Sequence, residues 1–114
     1  LLPHIRKEYI YSEKFFPNIE EKTINNSKIK TSEMKWPALV FIIDLRNKFY
    51  QEILEEINKI HKNLDISAMY FIINNKETRI KQNSTIKKLS NKDNMYIIVD
   101  ENKEINKIIR NKNN

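Results

Sequence analysis

Apolar residues in this chain form three short continuous blocks and one long periodic stretch. The blocks cover residues 36–43, 66–73 and 95–99, and Ser67 is the single polar residue within them. They are rich in β-branched and aromatic side chains, and at this length such a composition favours buried strands over helices. From Asn47 to Leu64 the apolar positions instead recur every three or four residues, with charged residues between them. That spacing predicts an amphipathic helix of about four turns between the first two strands.

The segment before the first block carries weaker signals. Residues 5–11 mix apolar and charged positions at helical spacing and predict a short amphipathic helix that ends before Pro17. Residues 15–21 predict a short strand at a sheet edge, where a proline removes no paired N–H group. Residues 23–35 are polar, and the Asn-Asn-Ser run at 25–27 provides turn chemistry because Asn tolerates left-handed backbone. We expect a loop there.

The chain is mostly polar between and after the last two blocks. Ile80 is the only apolar residue in the segment 76–83, so we expect a polar connection there. The Ser84 hydroxyl is placed to cap a single helical turn that follows it. From Asp100 onward only three isoleucines interrupt the polar background, which predicts a frayed helix or a disordered tail. The sequence therefore predicts one domain over residues 1–105 and a polar tail over residues 106–114.

Two residue types are absent from the 114 positions, glycine and cysteine. Because glycine permits positive φ and close approach of a phosphate to the backbone, its absence excludes the loops of P-loop and dinucleotide-binding enzymes. Without cysteine there is no disulfide, no thiolate nucleophile and no cysteine-based zinc site. No apolar run is long enough for a membrane span or a signal peptide, so we expect an intracellular protein.

The remaining reactive side chains form no recognisable catalytic or metal-binding set. His4 and His61 have no companion at metal-ligand spacing, and the serines lack a base and its orienting group. Adjacent glutamates at 20–21 and 55–56 project apart on a strand or helix, whereas paired acid–base carboxylates must converge. We therefore predict no catalytic residue, no metal and no cofactor.

The chain is basic. Lys and Arg number 21 against 15 Asp and Glu, a formal net charge of +6. Such an excess favours an anionic partner, either nucleic acid, a membrane surface or an acidic peptide. The abundance of Ile, Asn and Lys is also what AT-rich coding imposes, so the excess partly reflects base composition. The lysines are scattered among acidic residues rather than in one stripe, which weakens the prediction of nucleic-acid binding.

The order strand, long helix, strand, helical turn, strand matches the later part of a β-grasp domain, in which one helix packs across a mixed sheet. Two strands before the helix form a hairpin in that fold. Residues 15–21 are the only candidate for the strand that would pair with residues 36–43. A thioredoxin-like sandwich has a similar order and stays open as an alternative, without its cysteine chemistry.

Short motifs along the chain resemble one family. Ile-Arg-Lys-Glu-Tyr at 5–9 and Pro-Asn-Ile-Glu-Glu-Lys at 17–22 resemble the start of the autophagy ubiquitin-like modifiers of the GABARAP type. Residues 68–75, Ala-Met-Tyr-Phe-Ile-Ile-Asn-Asn, are similar to that family's aromatic strand, and residues 93–101 resemble its last strand and the acidic residues after it. The resemblance implies an α+β fold of the ubiquitin-like β-grasp type, with a mixed sheet, one central helix and a short N-terminal helical extension.

The resemblance also implies a binding site. Members of the family bind peptides of the form aromatic-x-x-aliphatic, which add a strand beside the second strand and place two side chains in apolar pockets. Carried over by motif, the first pocket consists of Ile5, Pro17, Ile19, Val40 and Met95. The second pocket consists of Leu39, Phe41, Leu45, Tyr50 and Ile53. Val40, Ile53 and Met95 are equally compatible with ordinary core positions.

The chain departs from the family pattern at two places. Residues 35–38 stand where the family has a run of lysines, so we expect weaker attraction for acidic residues beside a bound peptide, and Pro37 is placed to interrupt edge pairing. The sequence ends Lys-Asn-Asn rather than at a processed glycine, so we expect no conjugation through this tail.

The sequence thus predicts a non-catalytic, ubiquitin-like adaptor of the autophagy type. Its partners are aromatic-x-x-aliphatic peptides, and its location is the cytoplasm or an anionic membrane surface. The alternative is a structural subunit of an organellar ribosome or respiratory complex, which suits the basic charge and polar tail. Nucleic acid is a partner only under that alternative.

Overall fold

The computed structural model describes residues 18–113, with side chains as far as Asn111. Five strands and four α-helices lie within this range. The strands are β1 (Glu20–Lys22), β2 (Lys28–Lys30), β3 (Ala38–Ile43), β4 (Ala68–Ile73) and β5 (Met95–Val99). The helices are α1 (Lys48–Ile60), α2 (Glu77–Gln82), α3 (Ser84–Ser90) and α4 (Glu104–Asn113). Short 3-10 turns follow β2 and α1, at Thr31–Glu33 and His61–Asn63.

The three apolar blocks become the three strands of one parallel sheet, in which β4 lies between β3 and β5. The register places Val40 beside Tyr70, and Tyr70 beside Tyr96. Parallel neighbours need a crossover connection. The long helix α1 supplies the crossover from β3 to β4, and α2 with α3 supplies the crossover from β4 to β5. The strands predicted at all three blocks are therefore confirmed.

Helices α1, α2 and α3 contribute to an apolar cluster on one face of the sheet, here called the helix-face core. From α1, Ile53, Leu54 and Ile57 are at most 5% exposed. The helix begins after Asn47, whose side chain accepts the N–H of Phe49 at 3.0 Å and satisfies a donor that the first turn leaves free. The helix predicted between the first two strands is confirmed.

The opposite face of the sheet is covered by the β1–β2 hairpin and by α4, and the cluster there is called the hairpin-face core. Tyr70 and Ile72 of β4 contribute to it together with Ile19, which precedes β1, and with Ile105 and Ile109 of α4. The two clusters are separate because successive side chains of a strand point to opposite faces.

Helix α4 occupies the region where the sequence predicted a frayed helix or a disordered tail. Ile105 and Ile109 are only 3% and 2% exposed. The carboxylate of Asp100 accepts the N–H groups of Ile105 and Asn106 at 3.1 and 3.0 Å, so the first turn of the helix is capped. The helical alternative is the one found, but the helix is docked rather than frayed, because Ile105 and Ile109 pack into the hairpin-face core. The boundary expected after residue 105 falls within its first turn.

The polar segment 23–35, expected to be a loop, contains β2. The strands β1 and β2 are antiparallel, and their turn places Asn26 at a φ of 66°, where Asn takes the role usual for glycine. Thr23 Oγ1 accepts the Ser27 N–H at 3.1 Å within this turn. The hairpin joins the free side of β5, because the Ile24 N–H donates to the Ile97 carbonyl at 2.8 Å. The loop prediction is therefore wrong.

The expected α+β class is confirmed in its general form, with four helices and two sheets in the described range. The expected hairpin between residues 15–21 and strand 36–43 is not found. β1 pairs with β2, and β3 is parallel to β4. The tight turn after β1 favours the local partner because closing a short loop costs little conformational entropy. The predicted N-terminal helix, and the part of the predicted strand before residue 18, lie outside the described residues.

Two short helices connect β4 to β5 where the sequence indicated a polar connection and one turn. The isolated Ile80 of α2 is fully buried. Asn83 caps α3, since its Oδ1 accepts the Ile86 N–H at 3.1 Å, and its Nδ2 donates to Gln51 Oε1 of α1 at 2.8 Å. The prediction of Ser84 as the cap is wrong by one residue, because Asn83 already supplies the acceptor.

Candidate peptide-binding edge

Strand β3 lies at an edge of the parallel sheet, and β4 is the neighbour with which it pairs in the described part of the chain. The Ser67 N–H donates to the Pro37 carbonyl at 2.8 Å, and the Asn74 N–H donates to the Ile43 carbonyl at 2.9 Å. Odd-numbered backbone positions therefore face β4, and the alternation of the ladder turns the even-numbered ones outward. The outward N–H and C=O groups belong to Ala38, Val40 and Ile42.

This edge carries no charge that would hinder strand addition. Its six residues, Ala-Leu-Val-Phe-Ile-Ile, are all apolar, whereas natural edge strands commonly carry a lysine, a proline or an inward charge. Pro37 precedes the strand and removes no donor from residues 38–43. The interruption expected from Pro37 is thus confined to the beginning of the edge. Over the rest of β3, the outward backbone groups have no strand partner among residues 18–113.

The residues predicted for the second pocket lie together on the helix face. Phe41, Leu45 and Tyr50 are partly buried and pack against the helix-face core, to which Ile53 belongs. Leu39 is 37% exposed, and it shares the face of Phe41 because the two are two positions apart in one strand. Leu39 is thus exposed and three of the others are partly accessible, whereas Ile53 is 5% exposed and is an ordinary core residue.

The residues predicted for the first pocket do not all lie on the same face of the sheet. Ile19 and Val40 line one apolar cavity beneath the hairpin, of about 20 Å³, which holds a single water-sized sphere. Met95 lies in the helix-face core instead, because it differs from Val40 by one position in the common register of the sheet. Ile5 and Pro17 lie outside the described residues. The structure therefore does not bring Met95 together with Ile19 and Val40.

Phe49 is a surface residue that the sequence pattern assigned to the buried stripe of α1. Its exposed fraction is 47%, and it precedes Tyr50 in the first turn of the helix. The helical period alone does not distinguish the middle of a helix from its ends, where an apolar stripe can extend past the core. The available signal was the position of Phe49 only two residues after the N-cap, within the first turn.

Polar side chains follow all three strands of the parallel sheet, at the edge where open α/β sheets usually bind ligands. Asp44, Asn74 and Asp100 come directly after β3, β4 and β5. Asn75 Oδ1 accepts the Leu45 N–H at 2.8 Å, and the Nδ2 groups of Asn74 and Asn75 lie 3.5 Å from the Asp44 carboxylate. Because they bond to each other and to the backbone, these side chains hold the strand ends in place.

Asp44 is also paired with Arg46. Nε of Arg46 donates to Oδ1 of Asp44 at 2.9 Å, and Nη2 donates to Oδ2 at 2.6 Å. The hydrogen bonds from the Arg46 side chain lower the pKa of Asp44 to about 2, against the opposing effect of partial burial. A carboxylate with so low a pKa is a poor proton carrier near neutral pH. This edge of the sheet therefore has no suitable general acid at Asp44.

Comparison with protein-family models, with curated proteins and with solved structures finds no match to this chain. Among residues 18–113, no helix combines the length and the apolar character needed to cross a bilayer. The same residues contain no group of three or more His, Cys, Asp or Glu side chains placed to hold a metal ion. Among the described residues, the outer edge of β3, which has no strand partner there, and the apolar side chains beside it form the candidate site.

Proposed function

We propose that this domain is a non-catalytic adaptor that binds an extended peptide along the outer edge of β3. The observation that carries the proposal is the six-residue apolar edge, whose outward backbone groups at Ala38, Val40 and Ile42 bond to no described strand. An added strand would satisfy these groups with main-chain hydrogen bonds, as in β-augmentation. Side chains on both sides of the edge would then select the peptide sequence.

The two faces of the edge suit a peptide with two apolar residues three positions apart. In an extended strand such residues point to opposite faces. One side chain would contact Leu39 and Phe41 on the helix face, and the other would approach Val40 on the hairpin face. The aromatic-x-x-aliphatic spacing implied by the family resemblance therefore fits the geometry of an open edge, with one anchor on each face.

The proposal does not depend on a ubiquitin-like identity. Strand β3 is parallel to β4 and has no hairpin partner among the described residues, so the strand pairing lends no support to a β-grasp sheet or to the autophagy family. Support comes from the chemistry of the edge. We accordingly propose the adaptor function and its peptide class, with the autophagy role as one setting in which it would act.

A titration of the full chain with a labelled aromatic-x-x-aliphatic peptide tests the proposal. Leu39→Lys places a charge on the exposed edge without removing a buried side chain, and we expect it to weaken binding about tenfold, or roughly 1.4 kcal/mol. Ile108→Lys is the matched control, because Ile108 is an isoleucine of α4 that is 45% exposed and is not part of the β3 edge. This variant should bind the peptide as the wild type does.

Amide hydrogen exchange locates the bound peptide. We expect the N–H groups of Ala38, Val40 and Ile42 to gain protection when the peptide is added, while those of Leu39 and Phe41 already bond within the sheet and change little. Equal weakening by the two lysine substitutions would contradict the proposal. So would the absence of binding at millimolar peptide, or protection confined to residues other than the three outward ones.

A further inference from the structure

Lysines occur along the whole chain, but most of the net positive charge comes from one segment, because acidic residues balance the cations elsewhere. Residues 76–92 contain six cationic residues and one acidic residue, a net of +5 out of the +6 carried by the whole chain. The six are Lys76, Arg79, Lys81, Lys87, Lys88 and Lys92. AT-rich coding would enrich lysine evenly along the chain. It therefore does not account for a net charge of +5 within residues 76–92.

These cations lie on α2, α3 and the adjoining turns, and five of the six are exposed. Lys81 lies 3.6 Å from Glu77, the one acid of the segment. No other described carboxylate lies within 4.0 Å of the remaining five, since the other ion pairs of the described residues join Lys28 to Glu20 and Arg46 to Asp44. The segment therefore presents an excess of positive charge that the described part of the protein does not neutralise.

A groove runs between this surface and the turn of the hairpin. It has a volume of about 290 Å³, with Lys81 of α2 and Lys87 of α3 in its lining beside Ile24 and Asn25 of the hairpin turn. Asn25 Nδ2 donates to the Ser90 carbonyl at 3.0 Å, which fixes the turn against α3. The groove is thus formed by two separate parts of the chain, and its lining combines two lysines with three isoleucines.

We propose that the basic surface of α2 and α3 binds the phosphate backbone of single-stranded nucleic acid without preference for base sequence. A concave groove can receive a polymer chain, whereas a bilayer is flat, and the exposed large apolar side chains lie elsewhere, at Leu39, Phe49 and Ile108. The segment has five lysines, one arginine and no aromatic residue, so it offers point charges for phosphates and no platform for stacking bases. This activity is separate from peptide capture at β3.

Fluorescence anisotropy with short labelled oligouridylate and oligodeoxythymidylate, between about 50 and 200 mM salt, tests the inference. Each phosphate that a cation neutralises adds about −0.7 to the slope of log K against log salt for a single strand. We expect the Lys81→Gln, Lys87→Gln double variant to bind at least tenfold more weakly at low salt, with a slope shallower by about 1.4. Similar affinities for the two oligonucleotides would indicate recognition of phosphate rather than of the ribose hydroxyl.

The Lys59→Gln, Lys62→Gln double variant is the control. It removes the same net charge from exposed positions on α1 and in the turn after it, so it separates a local contact from general attraction. Leu39→Lys should leave oligonucleotide binding unimpaired, which distinguishes this surface from the β3 edge. Equal losses in the two glutamine variants, no binding at the lowest salt, or tighter binding to polyglutamate or to vesicles of anionic lipid would overturn the inference.

Discussion

The rings of Phe41 and Phe71 stack across the β3–β4 pair, with their centroids 5.3 Å apart and their planes inclined by 10°. The two residues are partners in the parallel register. Phe71 is fully buried and Phe41 partly so, and the contact anchors the edge strand to the centre of the sheet. Phe41 therefore has two roles, since it stabilises β3 and forms the inner part of the proposed peptide site.

Replacing Phe41 by Ala should lower the free energy of unfolding by about 3 kcal/mol, because it removes the stacked ring and leaves a cavity beside Phe71. Leu39→Ala, on the same face of the same strand but more exposed, should cost less than about 1 kcal/mol. Urea unfolding followed by circular dichroism measures both. Similar losses for the two variants would mean that β3 is not anchored through Phe41. The same comparison explains why Leu39, and not Phe41, is the position to alter in binding experiments.

A second prediction concerns two neighbouring isoleucines of α4. Ile109 is 2% exposed against the hairpin-face core and Ile108 is 45% exposed. Ile109→Ala should lower the free energy of unfolding by about 2 to 3 kcal/mol, and Ile108→Ala by less than about 0.5 kcal/mol. The pair is matched, since the substitution and the helix are the same. Equal effects in urea unfolding would show that α4 is not docked on the sheet.

The strands and helix of the parallel sheet could be predicted because their patterns are strong. The 36–43 block and the long period after Asn47 each match one template over many residues, and they became β3 and α1. Helix α2 escaped prediction, and α4 was predicted only as a frayed helix or a disordered tail, because each buries only a narrow stripe. Ile80 alone is fully buried in α2, and Ile105 and Ile109 are the apolar contacts of α4, so tertiary packing outweighs a weak local signal.

The pairing of the strands was harder to predict than their existence. A strand, a helix and a second strand suit a parallel crossover, but the resemblance to a β-grasp domain led us to expect an antiparallel hairpin partner for residues 36–43. The wrong strand pairing also affected the prediction of the binding pockets. The second pocket was predicted largely correctly because its residues belong to one strand and to the turn and helix that follow it. These residues, Leu39, Phe41, Leu45 and Tyr50, lie on the helix face. Met95 was misplaced because assigning it to a face requires the register of the whole sheet.

We expect the stability of this protein to depend on pH through Asp44. The Arg46 side chain depresses the pKa of Asp44 to about 2, while an aspartate in an unfolded chain titrates near about 3.9. A depressed pKa in the folded state means that ionised Asp44 stabilises the protein, fully above pH 4 and progressively less as the pH falls towards 2. Asp44→Asn should therefore cost about 1 to 2 kcal/mol at pH 7, a value reduced by the solvent around the exposed Arg46.

This difference between wild type and Asp44→Asn should shrink as the pH falls from 4 to 2, because the wild-type carboxyl group becomes protonated and loses its ion pair. Urea unfolding at pH 7, 4 and 2.5 measures it. Asp65→Asn is the control, since Asp65 is exposed and should change the free energy of unfolding by less than about 0.5 kcal/mol at each pH. A difference that stays constant down to pH 2.5 would mean that Asp44 acts through its hydrogen bonds to Asn74 and Asn75, which an amide can partly replace, and that its charge contributes little.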